Sequence, residues 1–275
     1  MKKVIGSGLN VLSWFNLSKS VELAFTLFST PRKGKIEGEF PLFLDKADKG
    51  SMLVKGQRVQ YYQWNIDDVD KPLIMLIHGW ESNSNRWEEV VKYLSYDQYR
   101  FIAFDAFGLG KSQGKRFKVP DFSDLIDVML AKFSPDYVIA HSLGAFASLA
   151  CLSVKSYPFI QRLVLLGGPD SFQDILLKYS KMMGYNKSIT NGILDYAQGL
   201  LTMPLANYSS VCFLNGVTIP LIVIHDQSDC AVLVSECRAF HKKVIEMNNK
   251  VIFTDQLGHS LQSDEVYEYI KEFIK

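Results

Sequence analysis

The sequence predicts an α/β fold: a mostly parallel, doubly wound sheet with a helical insertion. Three observations predict it. Short apolar, β-branched runs alternate along the chain with longer helical patterns, and such alternation implies parallel strands covered by helices on both faces. One run, Tyr137-Val138-Ile139-Ala140-His141, passes through Ser142 straight into the helix-forming stretch Leu143-Gly144-Ala145, which describes a strand, a tight elbow and a helix. Residues 170–219 then separate two apolar runs by far more than an ordinary connection, and they carry helical patterns of their own.

The chain opens Met1-Lys2-Lys3 and stays uncharged to Ser18, as a secretory leader would. However, Gly6, Ser7, Gly8, Asn10, Ser13 and Asn16 interrupt any apolar core, and no small-x-small cleavage site follows. This segment and Val21–Phe28, which stops before Pro31, read as helices packed against the body of the protein. Trp14, Phe15, Phe25 and Phe28 offer a second-ranked alternative, contact with a bilayer surface. Residues 31–36 read as a linker. Strands follow at Pro72 to Ile77, ending in His78-Gly79-Trp80, and at Tyr99 to Phe104, then at Tyr137 to His141, Arg162 to Gly168, Pro220 to His225 and Lys250 to Thr254. Between them helical spacing recurs over Asn85–Leu94, Asp121–Phe133, Leu143–Val154 and Val234–Met247, and a last helix spans Glu265–Ile274. The insertion shows such patterns over Phe172–Met183, Ile189–Leu201 and Leu205–Leu214. The expected organisation is an N-terminal helical segment and linker at 1–36, a core at 37–169 and 220–275, and the helical insertion at 170–219.

Composition narrows the function. With 275 residues and 48% hydrophobic content the chain can bury a substantial core. A net charge of +1 gives no basic field for nucleic acid. The four cysteines, Cys151, Cys212, Cys230 and Cys237, form no C-x-x-C pair, and no two histidines show zinc-ligand spacing, so no metal is expected. Sparse cysteines suit a reducing, cytoplasmic setting. Cys230 reads as a small buried apolar residue. The Asp105–Ser112 turn, with Gly108 and Gly110, lacks the spacing of a phosphate loop, and its Lys111 reads as solvated. No stretch is long and apolar enough to span a membrane, and no internal repeat is evident.

Ser142 is the residue on which function turns. An elbow of this kind holds a hydroxyl in the open beside the amides of a helix N-terminus, which suits a nucleophile. The alternative is a serine that merely caps the helix.

His78-Gly79-Trp80, the Asp105–Ser112 turn, the Ser142 elbow, His225-Asp226-Gln227-Ser228-Asp229 and Leu257-Gly258-His259 occur in that order. In these pieces the chain resembles the α/β-hydrolase family over about residues 50–275. Two departures stand out: Ala140 where the family's elbow usually has glycine, and Asp226 where glycine is common. The His-Asp-x-x-Asp form is similar to a bacterial subgroup without an assigned substrate.

The resemblance implies the chain order nucleophile, acid, histidine. Ser142 matches the first, Asp229 the second and His259 the third, with the backbone N–H groups of Trp80 and Leu143 as the oxyanion hole, and His78, Gly79 and Gly144 completing the motifs. Asp226 rivals Asp229 but suits a turn anchor, and Asp105 suits loop support. Among the other histidines, His78 and His225 end strands and suit local hydrogen bonds. His141 is expected to point away from the serine by strand alternation, and His241 suits surface or packing in a helix. In this family an insertion like 170–219 is a cap. Its Phe172, Leu176, Tyr179, Met182, Met183, Tyr196 and Phe213 suggest an apolar roof, with at least half expected to fill the cap's own core.

The implied activity is cleavage of a carboxylic ester, or a thioester, with an apolar acyl or aromatic group, through an acyl-enzyme on Ser142 and without a cofactor. The alternatives are a non-catalytic binding or scaffold protein on the same fold, and a carbon–carbon bond hydrolase. The expected partner is a small-molecule ester. The sequence leaves the oligomeric state open.

Overall fold

Eight strands form one sheet in a computed structural model that describes residues 2–94 and 98–275. Met1, the first residue of the expected N-terminal segment, lies outside the described residues. The elements follow as α1 (Lys2–Phe15), α2 (Leu17–Ser29), α3 (Leu42–Asp45), β1 (Asp48–Val54), β2 (Gln57–Trp64), β3 (Leu73–Ile77), α4 (Glu88–Leu94), β4 (Arg100–Phe104) and α5 (Val119–Phe133). Then come β5 (Tyr137–His141), α6 (Leu143–Val154), β6 (Arg162–Leu166), α7 (Phe172–Met183), α8 (Lys187–Gln198), α9 (Ser210–Phe213), β7 (Leu221–Asp226), α10 (Arg238–Glu246), β8 (Lys250–Thr254) and α11 (Asp264–Ile274). The strand order is β1-β2-β4-β3-β5-β6-β7-β8. From β4 to β8 every pairing is parallel.

Strand alternation splits the apolar runs between two layers. Leu73, Met75 and Ile77 join one core with Val138, Leu163 and Leu165. Ile74 and Leu76 join the other with Ile139, Val164 and Leu166. Continuous apolar runs are thus the signature of a sheet buried on both faces, as expected from the sequence.

The antiparallel pair β1–β2 at the sheet's edge was not anticipated. Lys55 and Gly56, both with positive φ (49° and 72°), make its turn, a geometry that matches the twist of a hairpin. Its sequence signal is faint because β1 is largely exposed, so few of its positions need be apolar. The single helix expected over Leu205–Leu214 is also broken. Ser209 is extended and its side chain accepts from Cys212 N, restarting the chain as α9.

The two N-terminal helices pack on the insertion. Val21 of α2 sits against Gly192 of α8, and Gly6 of α1 lies against the Met183 carbonyl, where a Cβ would collide. The segment read as a linker runs along the Gly108–Gly110 turn, with Ile36 N donating to Gly110 O and Gly110 N to Gly34 O.

Candidate active site

At the end of β5 the chain turns through Ser142 at φ 56°, ψ −126°, a backbone conformation that costs a non-glycine residue about 1–3 kcal/mol. The close approach of α6 to β3 explains the small residues around it. A Cβ on Gly144 would lie 2.4 Å from the His78 carbonyl, and one on Gly79 would lie 2.7 Å from Ser142 Cβ. Ser142 occupies the helix-cap position, yet its side chain makes no cap hydrogen bond. Its Oγ lies instead 2.9 Å from His259 Nε2.

His259 sits in the loop after β8, and its Nδ1 is 2.7 Å from Asp229 Oδ2. Asp229 follows β7 and is buried. Burial by itself would raise its pKa, but hydrogen bonds from His225, His259 and the Val232 amide together hold it well below the usual carboxylate range. Its other oxygen accepts from Ala231 N and Val232 N at 2.8 and 2.9 Å. An ionised Asp229 accepts the Nδ1–H of His259, which leaves the Nε2 lone pair facing the serine hydroxyl.

The rival carboxylates do other work. Asp226 accepts from Ser228 N, Thr254 Oγ1, Leu257 N and Gly258 N at 2.8–3.1 Å, so it anchors the loop that carries His259. Asp105 accepts from Ser84, Tyr62 and Lys111 N. His78 ties its own loop, accepting at Nε2 from Ala106 N. Lys111 stays partly exposed, and its Nζ also donates to Gly38 O and lies over the Phe40 ring, because the N-terminal loop folds back across the turn.

His141 corrects another expectation. Alternation was to turn it away from the serine, but its ring packs 4.8 Å from that of His259. Alternation ends at the elbow, and the His259 loop comes round to the face that His141 presents. Half-buried Arg86 donates to His141 Nδ1 at 2.5 Å and to Ser260 O at 3.0 Å. Since guanidinium can only donate, His141 Nε2 carries the proton and donates it to the His259 carbonyl at 2.7 Å. Burial, with Arg86 and His259 beside it, pushes the His141 pKa well down, so the ring is neutral. Sequence reasoning missed Arg86, because nothing local to it marks a residue that buttresses a loop far along the chain.

Behind Asp229, His225 Nδ1, His241 Nε2 and Cys237 Sγ lie within 4.8 Å of one another. His225 Nε2 faces the Val232 carbonyl at 2.8 Å and so carries the proton, which leaves Nδ1 to accept from His241 Nε2 at 3.1 Å. The Cys237 thiol faces Gly168 O at 3.6 Å. The three converging atoms thus each face a protein partner. The lack of ligand spacing in the sequence did not foretell this convergence, since β7 and the start of α10 meet only in the fold.

Ser142, His259, Trp80, Leu143 and Cys237 line a cleft of about 280 Å³. It shares Trp80, Leu143, Ile175 and Ala231 with a larger, mostly apolar cavity of about 520 Å³. Leu143 is the first residue of α6, so its amide has no helical carbonyl behind it. Of the roof residues, Phe172, Tyr179 and Met182 line the larger cavity with Phe25 and Phe28 of α2. Leu176, Met183 and Phe213 fill the core, and the Tyr196 ring packs at a tilt against Phe25. Cys230, expected buried, is exposed and borders the cavity, because it lies in the loop beyond β7 and not in the strand.

A family profile described as serine aminopeptidase, S33, matches residues 69–183, a stretch that holds Ser142 but ends before Asp229 and His259. The chain is 26% identical over 145 residues to a monoacylglycerol lipase of Mycolicibacterium smegmatis, covering 48% of this chain and 51% of the relative. It is 29% identical over 103 residues to a probable lysophospholipase of Arabidopsis thaliana, covering 35% and 24%. The matched stretch thus spans about a quarter to a half of the length of these curated relatives. Among solved structures, an esterase of Pyrococcus furiosus superposes with a TM-score of 0.64 at 20% identity, covering 89% of this chain and 98% of that one.

Proposed function

This chain is a member of the α/β-hydrolase family, and from that premise we propose that it is a serine hydrolase of carboxylic esters with an apolar acyl group. The observation that carries the reading is the continuous series Asp229–His259–Ser142, at 2.7 and 2.9 Å, opening into a cleft that leads to an apolar cavity. The lipase and esterase names among the similar proteins support the substrate class.

Ser142 Oγ attacks the ester carbonyl carbon as His259 Nε2 takes its proton. Asp229 holds the imidazole tautomer and stabilises the imidazolium. Negative charge gathers on the carbonyl oxygen, where the backbone N–H groups of Trp80 and Leu143 receive it; one such donor is worth about 3 kcal/mol of transition-state stabilisation. Collapse breaks the bond to the alkoxide oxygen, which leaves as alcohol with the proton from His259. Water then gives its proton to His259 and attacks the acyl-serine, releasing the acid and restoring Ser142. A thioester follows the same steps with a thiol as leaving group. The insertion at α7–α9 caps the site, and the larger cavity holds the acyl chain.

The test pairs turnover of a p-nitrophenyl ester with mass spectrometry after a fluorophosphonate probe. The wild type should hydrolyse the ester and carry one adduct, on Ser142. Ser142→Ala should lose both, with turnover down on the order of 10⁴-fold or more. A folded wild-type protein that takes no adduct would instead be a binding protein.

A further inference from the structure

We propose that the outward face of α1 docks on an anionic phospholipid bilayer. The outer face of this helix is largely apolar. Two of its polar side chains point inward: Asn10 donates to Gly184 O and accepts from Asn186 N, both at 2.8 Å, and Ser13 accepts from Asn186 Nδ2 at 3.0 Å. Leu9 and Leu12 pack inward on the core, but the other apolar side chains of the helix point outward. Trp14 and Phe15 are 77% and 83% exposed, and Val4, Ile5 and Val11 are exposed beside them. A helix surrounded by water gains from the opposite arrangement. Placing a tryptophan and a phenylalanine in water while spending amides on internal bonds is reasonable only if the outer face meets something apolar.

Charge selects the occupant. The only charged residues of α1 are Lys2 and Lys3, and the helix carries no acid. An apolar face with cations at one end fits an interface of acyl chains beneath anionic headgroups. No described helix is long and apolar enough to cross a membrane, so the geometry is of a helix lying in the interfacial plane. Its location adds a purpose. Lys2 and Met182, in contact at 3.4 Å, border the larger apolar cavity. The first turn of the docking helix thus stands at the cavity's edge, and α2 forms part of its wall through Phe25, Leu27 and Phe28. An acyl chain leaving the bilayer there reaches the cavity without crossing open water. This last step rests on the ester-hydrolase reading; the docking does not.

The experiment is co-sedimentation of the full chain with vesicles of phosphatidylcholine containing phosphatidylglycerol, beside vesicles of phosphatidylcholine alone. Three proteins are compared: wild type, Trp14→Ser/Phe15→Ser, and Ser142→Ala. The altered aromatics are solvent-exposed, and circular dichroism checks that the double variant is folded. Wild type and Ser142→Ala should pellet equally, more strongly with phosphatidylglycerol, and the double variant should partition on the order of tenfold more weakly. Because Ser142→Ala is included, binding is read without catalysis, and a failed hydrolase reading leaves the result intact. Equal pelleting of wild type and double variant, or none by either, overturns the proposal. So does sedimentation velocity showing a wild-type dimer that the double variant cannot form, which would assign the face to a second copy of the chain.

Discussion

His141 Nε2 donates to the backbone carbonyl of His259 at 2.7 Å, so the residue beside the proposed nucleophile holds the proposed base in place. Arg86 fixes the donor's tautomer from behind and also grips Ser260. The relationship makes His141 a positioning residue, because it touches the main chain of His259 and not the reacting atoms. Catalysis by proton transfer is sensitive to placement at the level of an ångström.

Replacing His141 by Phe should therefore lower kcat by about ten- to a hundredfold, with KM little changed. His141→Gln, which keeps an N–H donor, should recover part of the loss. Initial rates with a short p-nitrophenyl ester measure both. Equal rates for wild type and His141→Phe would remove the positioning role.

The acyl cavity should be tunable from α2. The Phe28 ring lies 5.1 Å from that of Tyr179 and 6.3 Å from that of Phe172, where α2 meets the insertion at the cavity wall. Phe28→Ala should shift kcat/KM towards long acyl chains and Phe28→Trp towards short ones, each by about tenfold in the ratio of dodecanoyl to acetyl ester. An unchanged ratio in both variants would place the acyl chain elsewhere.

The cysteines should separate by reactivity. Burial pushes the Cys151 and Cys237 thiols up to about 12, whereas Cys230 is exposed at the rim of the cavity. Alkylation of the folded protein near neutral pH should mark Cys230, with Cys151 and Cys237 reacting only on unfolding. Peptide mass spectrometry reads the order. A bulky label on Cys230 should slow long-chain esters more than short ones.

Stability should fall on mild acidification. Burial, with His225 beside it, lowers the His241 pKa from 6.5 to about 4. Between those values the unfolded chain binds the proton and the folded one does not, so the contribution is whole above about pH 6.5 and declines as pH falls towards 4. The full loss is on the order of 3 kcal/mol. His141 and His78 are shifted the same way by burial and add to the slope. Urea unfolding at about pH 7.5 and about pH 5 should show the drop, and His241→Gln should reduce it. An identical pH gap in that variant would contradict the assignment.

Much of the core was legible because its signals are local. A strand buried on both faces has to be apolar throughout, so β3, β4, β5, β6 and β7 appear as short runs. An elbow needs small residues around Ser142, and α6 follows at the position its sequence suggests. Asp229 and His259 could be named as candidates because the α/β-hydrolase resemblance implies an acid and then a histidine after the nucleophile, and each lies just past a strand of that sheet, at the same edge. The hairpin β1–β2 was hidden because an exposed edge strand need not be apolar.

The sequence by itself determined the strand–helix alternation, the elbow and the order in which Ser142, Asp229 and His259 appear, since each depends on a few neighbouring residues. Only the tertiary structure decided that Arg86 and His141 clamp the His259 loop, that Cys230 faces solvent, and that Trp14 and Phe15 point outward while Asn10 points in. Those facts depend on which surfaces meet across long stretches of chain. A side chain's type states what it can bond or bury, but its direction is settled by the elements packed around it.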